Sequence, residues 1–139
     1  MNIYQRDFVS VNALCAEAIE AIFTQAKSPD LFSHHQQHFA GKTLATVFTC
    51  ESTRTQMGFC SAFQRLGGGI IDFNAASSHA GDMFGESFYD LGRVIGDYAD
   101  YALVRLDKNS ELEEYRAGSR TPCISGGCKG TEHPSQTLI

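Results

Sequence analysis

Ser52-Thr53-Arg54-Thr55 follow, after Cys50 and Glu51, an apolar run, Thr43 to Thr49 (TLATVFT), and open a segment ending in Arg65-Leu66-Gly67-Gly68-Gly69. Hydroxyls, a guanidinium and free backbone N–H groups at a helix N-terminus make a preformed anion site, because the unpaired amides and the helix dipole both favour negative charge. Phosphate is the guest this chemistry favours. A second cation, Arg105, stands in the apolar run Tyr101 to Leu106 (YALVRL), where a charge is costly to desolvate unless an anion meets it. The alternative is a structural salt bridge with Asp107 or a neighbouring carboxylate. His133, inside Glu132-His133-Pro134-Ser135-Gln136, is a third candidate, with a helix-capping or surface histidine as the plainer reading. Cys123, Cys128 and His133, like the group His34-His35-His38, match no standard zinc spacing and are read as structural, so no metal is called for.

These residues need elements to hold them. Ser10 is expected to cap a helix whose apolar face is Val11, Leu14, Cys15, Ala18, Ile19, Ile22 and Phe23. Polar residues from about Lys27 to Lys42 read as a connection with one short helical turn. Thr43 to Thr49 is β-rich and bounded by turns, as a buried strand should be. The helix from Arg54 to Leu66 presents Phe59, Ala62, Phe63 and Leu66, and the glycines after it end it. Gly69 to Phe73 is a second strand, and the loop Asn74 to Gly85 leads to a helix over Glu86 to Tyr98 with Phe88, Leu91, Val94, Ile95 and Tyr98 as its apolar side. Tyr101 to Leu106 is a third strand, Asn109 to Tyr115 a short helix, and Pro122 to Ser125 a fourth strand.

Alternation of this kind predicts an α/β fold: three layers, with an open, mostly parallel sheet of about four strands and helices on both faces. Ligands of such sheets collect beyond the C-terminal strand ends. Ser52 to Thr55, the Asn74 to Gly85 loop, Arg105 and the approach to His133 all belong to that edge.

Composition narrows the function classes. The 139 residues, 42% of them hydrophobic, suffice for one domain with a real core, residues 1–139. A net charge of -5, with 11 Lys and Arg scattered along the chain, gives no footprint for nucleic acid or an anionic membrane. No apolar run reaches the roughly 18 residues of a membrane span, and the N-terminus lacks the form of a signal peptide. Five cysteines at irregular spacing read as reduced thiols, which together with the missing leader suits the cytosol.

Taken in order, Thr-Leu-Ala-Thr-Val-Phe, Ser52-Thr53-Arg54-Thr55, Arg65-Leu66-Gly67-Gly68, the strand bearing Arg105, and Glu132-His133-Pro134-Ser135-Gln136 resemble the carbamoyl-phosphate-binding domain of aspartate and ornithine carbamoyltransferases over nearly the whole chain. The resemblance implies that Ser52, Thr53, Arg54 and Thr55 hold the phosphate of carbamoyl phosphate, with Arg105 as a second cation. It implies further that Thr55, Arg105 and His133 face the carbamoyl oxygen as catalytic residues, that Gln136 orients the carbamoyl NH2, that the assembly is a homotrimer, and that no cofactor is used. His-Pro-Ser-Gln is more similar to the aspartate-type His-Pro-Thr-Gln than to the ornithine-type His-Pro-Cys-Gln.

Two departures stand beside the matches. In the resembled enzymes the loop after the second strand lends a serine and a lysine to the neighbouring subunit, and an ungapped alignment puts Ala80 and Phe84 there. Loss of one such cation costs on the order of 2 to 4 kcal/mol of transition-state stabilisation. Lys129 or Arg93 would have to compensate in an active enzyme, while Asp82 and Glu86 add negative charge to the loop, as does Glu51, in place of the family's proline, unless an arginine pairs with Glu51. The other departure is length: Ile139 falls where the resembled family crosses to a second domain that binds the amino acid, so half of the active site is expected elsewhere. The open readings are therefore half of a carbamoyltransferase, inactive alone, a non-catalytic binding or assembly subunit of that family, or an unrelated anion-binding domain.

Overall fold

The computed structural model describes residues 7–74, 85–129 and 132–139. In chain order the elements are a 3-10 turn Val11–Ala13, α1 Ala16–Ala26, α2 Leu31–His34, β1 Thr43–Phe48, α3 Arg54–Arg65, β2 Gly69–Asn74, α4 Phe88–Tyr98, β3 Tyr101–Arg105, α5 Asn109–Gly118, β4 Cys123–Ser125 and α6 Pro134–Thr137. The four strands form one sheet in the order β2-β1-β3-β4, and every pairing is parallel. The α/β architecture read from the alternation is therefore present. Ala80, Asp82 and Phe84 lie outside the described residues.

Alternate residues of β1 supply the two faces, as the period-2 geometry of a strand requires. Leu44 and Phe48 pack with Leu103 and with Phe63 of α3, while Ala45 and Val47 pack with Ala102, Val104, Leu91, Ile95 and Tyr115 beneath α4 and α5. Full burial on both sides explains why β1 and β3 read as continuous apolar runs. The N-terminal segment adds to the far edge: Phe8 bridges Ile124, with Phe8 N–H donating to Cys123 O at 2.8 Å and Ser125 N–H to Phe8 O at 2.9 Å.

Two expectations need correction. The first helix does not begin after Ser10. Ser10 accepts from Asn12 N–H and caps only the 3-10 turn, Leu14 and Cys15 are extended, and α1 starts at Ala16. The reason is tertiary: Glu132 accepts from Ser10 Oγ at 2.6 Å and Val11 N–H at 2.8 Å, so the start of the segment is fixed by a residue 122 positions away. The apolar face assigned to this helix is also shallower than its periodicity implied, with Ala18 alone buried and Phe23 38% exposed.

On α4 the buried side is narrower than expected, because Val94 and Tyr98 are 43% and 72% exposed. Gly92 takes their place in the packing. A Cβ there would collide with the carbonyl oxygen of Tyr115, and one at Gly118 with that of Tyr89, so two glycines allow α4 and α5 to touch backbone to backbone. Among the described residues, no helix is long and apolar enough to cross a membrane.

Candidate functional site

Sheet order decides where a ligand fits. From β1 the chain goes through α3 to β2 on one side, while β3 lies on the other, so the order reverses between β1 and β3. Crevices of open parallel sheets open at such a switch point, outside the C-terminal strand ends. Phe48 and Arg105, the last residues of β1 and β3, are register partners there, and Thr49 N–H donates to Arg105 O at 3.0 Å.

From Phe48 the chain runs through Thr49-Cys50-Glu51-Ser52 to Thr53, the N-cap of α3. Thr53 makes no side-chain capping bond, which leaves the first-turn amides of α3 open to an external acceptor. Arg105 Nη1 donates to Ser52 Oγ at 3.4 Å. Arg105 does not pair with Asp107 among the described residues; Asp107 instead meets Lys129 at 2.7 Å. The structural salt bridge offered as an alternative for Arg105 is thus replaced by an arginine turned toward the phosphate-type loop, and Lys129 is engaged elsewhere.

His133 reaches the same place from the far end of the sequence. It is the N-cap of the one-turn helix α6, with Pro134 at the first position, yet its ring makes no capping bond. Its Nε2 lies 3.0 Å from Thr55 Oγ1 and its Nδ1 3.2 Å from Ser135 Oγ. Gly127, at φ +85°, packs closely against His133, and a Cβ there would sit 2.5 Å from His133 Cδ2. Burial and then the nearby Arg105 charge hold the imidazole below its ordinary value of 6.5. A neutral ring follows at pH 7, with one N–H to donate and one nitrogen to accept.

Ser52, Thr53, Arg54, Thr55, Arg105, His133 and Gln136 all line one cavity of about 260 Å³, together with Glu51. All seven site residues named from the sequence therefore meet. Thr55 is buried, Ser52, Arg105 and His133 are half-buried, and Arg54 and Gln136 remain exposed. Two guanidinium groups, an open helix N-terminus, three hydroxyls and a neutral imidazole can bind a phosphoryl group and donate hydrogen bonds to an adjoining carbonyl. Glu51 opposes this: it has no ion pair among the described residues, so the arginine partner considered for it is not found there.

Sequence reasoning missed the supports. Glu132 ties the approach to His133 to Ser10 and Val11, and these two donors keep its carboxyl below the ordinary glutamate value. Gln56, Asp72 and Thr46 form a polar cluster under α3. A signal for the second existed in Thr46 and Asp72, two polar residues inside apolar strands. Cys123 and Cys128 are buried thiols outside any disulfide, both pushed up by burial.

Comparison with known proteins agrees with this geometry. Residues 6–139 match the family model described as aspartate/ornithine carbamoyltransferase, carbamoyl-P binding domain. The aspartate carbamoyltransferase catalytic subunit of Saccharophagus degradans is 36% identical over 124 residues, covering 87% of this chain and 36% of the relative. Among solved structures, the catalytic subunit of M. jannaschii aspartate transcarbamoylase superposes with a TM-score of 0.84 at 34% identity, over 96% of this chain and 44% of that one. Ornithine carbamoyltransferase from Pyrococcus furiosus gives 0.87 at 29% identity, over 99% and 44%. The chain spans less than half the length of these relatives. By fold and by sequence over nearly its whole length, the chain belongs to the aspartate/ornithine carbamoyltransferase family and carries that family's carbamoyl-phosphate-binding domain.

Proposed function

We propose that this single domain supplies the carbamoyl-phosphate half of an active site that transfers a carbamoyl group to the amine of an amino acid. The carrying observation is that Arg54, Thr55, Arg105 and His133 line one cavity at the open N-terminus of α3. The amides and side chains of Ser52 to Thr55 hold the phosphate, and Arg105 adds a second cation. Thr55, Arg105 and His133 donate to the carbamoyl oxygen, stabilising the charge that grows as the amine attacks, and Gln136 orients the NH2. A bond forms from the amine nitrogen to the carbamoyl carbon, the bond from that carbon to the phosphate oxygen breaks, and phosphate leaves with the amine's surplus proton. No cofactor takes part.

Aspartate is the favoured acceptor, on the strength of His-Pro-Ser-Gln and of the aspartate carbamoyltransferase names of the sequence relatives. The amino acid is assigned to a part of the active site other than these 139 residues. A cytosolic homotrimer is the assembly, by analogy with the family. One reading competes: a non-catalytic binding or assembly subunit, favoured by Ala80 and Phe84 in place of the donor serine and lysine and by Glu51 within the anion cavity.

Isotopically labelled carbamoyl phosphate separates the readings when the chain is joined to its amino-acid-binding half and given aspartate or ornithine. Labelled carbamoyl-aspartate supports transfer. Saturable binding without transfer supports the assembly subunit, and absence of binding contradicts both.

A further inference from the structure

Thr46 is fully buried on the α3 side of β1, between Leu44 and Phe48, and is paired in register with Asp72 of β2. The buried Thr46 hydroxyl needs a partner, since an unmade bond there costs more than a made one contributes, and the exposed Asp72 carboxylate stands beside it. Thr46 Oγ1 donates to Asp72 Oδ1, and Gln56 Nε2 donates to the same oxygen at 2.8 Å, with Thr46 Oγ1 3.4 Å away. Gln56 is the third residue of α3. Its neighbour Thr55 faces a different side, toward His133.

The first turn of α3 is therefore gripped on two sides. The Thr55 side belongs to the ligand cavity. The Gln56 side does not line it: Gln56 and Asp72 line the neighbouring cavity, which shares Glu51, Ser52 and Thr53 with it. We propose that Gln56 and Asp72, with Thr46 beneath them, are a positioning cluster that sets the rotation and height of the first turn of α3, and so aims the amides of Thr53 to Thr55 and the stem of Arg54 at the anion.

The inference rests on the proposed carbamoyl-phosphate reading for its consequence in binding, and on geometry alone for its consequence in order. Both are measurable. The Met57 amide closes the first turn of α3 by donating to Thr53 O at 3.1 Å, so its hydrogen exchange reports that turn without any ligand. Gln56→Leu and Asp72→Ala should each accelerate Met57 exchange roughly tenfold, the scale of one hydrogen bond to a charged group. The Ala102 amide in β3, bonded to Pro122 O, should keep its wild-type rate as the control for global stability. Asp72→Asn keeps an acceptor oxygen and loses only the charge, so it should accelerate Met57 exchange less than Gln56→Leu does. Carbamoyl phosphate should bind Gln56→Leu about tenfold more weakly than wild type, with Asp72→Asn between the two.

Unchanged Met57 exchange in Gln56→Leu overturns the proposal, as does equal acceleration in Asp72→Asn or acceleration shared by Ala102. If wild type does not bind carbamoyl phosphate at all, the functional reading falls while the exchange data still decide the positioning role.

Discussion

Thr55 Oγ1 and His133 Nε2 lie 3.0 Å apart although 78 residues separate them. This contact joins the helix that follows the first strand to the segment that follows the last, and it closes the ligand cavity between them. Replacing Thr55, which is 9% exposed, with valine keeps the shape and removes the hydroxyl. A stability loss of about 0.5 to 1.5 kcal/mol is expected by urea denaturation. In a double-mutant cycle with His133→Asn, a coupling energy near zero would show that the contact contributes nothing.

Anion binding should depend on the protonation of His133. Its value is depressed by burial and by Arg105, so the neutral ring is favoured in the folded state. The stability this contributes is present above 6.5 and is lost as pH falls through the lowered value. A bound anion reverses the preference and draws a proton onto the ring. Sulfate, whose charge is constant between about pH 5 and 8, should therefore bind more tightly as pH falls below the ordinary histidine value. His133→Asn should flatten that dependence; an equal slope in both proteins would contradict the assignment.

Gly127 has a positive φ and packs against the His133 side chain, so Gly127→Ala combines backbone strain with displacement of that side chain. Destabilisation of about 1 to 2 kcal/mol is expected from the backbone alone. The ring protons of His133 should also shift in the NMR spectrum. A variant with wild-type stability and an unmoved His133 resonance would be inconsistent with this packing.

Glu51 lines the anion cavity with no ion pair among the described residues. Removing its charge in Glu51→Gln should tighten phosphate binding between about 1.5- and 5-fold at low ionic strength, the range of an exposed charge interaction. The gain should shrink as salt is added. Weaker binding in the variant would mean that Glu51 serves the ligand rather than opposing it.

Much of the fold was legible because β1, β3, α3 and α5 have local signals that agree with their tertiary setting. TLATVFT is buried on both faces, and the glycines after Arg65 stop α3 where they should. The site was legible because its donors stand at strand ends, which parallel topology brings to one edge. Failures came where distant residues decide local structure. Ser10 has the form of a helix cap, but Glu132 holds it in a 3-10 turn, and α1 begins at Ala16. Val94 and Tyr98 have helical spacing, yet the close approach at Gly92 and Gly118 leaves them exposed. Gln56 reads as a surface residue of α3 until the register of Thr46 with Asp72 is known.

The central claim is that the cavity is a carbamoyl-phosphate cradle built on the first turn of α3. Calorimetric titration of wild type and Arg54→Ala with carbamoyl phosphate, with inorganic phosphate as reference, tests it most directly. Saturable binding to wild type, tighter than inorganic phosphate and weakened at least about tenfold in the variant, is the expected result for a charge-assisted bidentate contact. Equal binding by both proteins, or none to wild type at millimolar ligand, would contradict it.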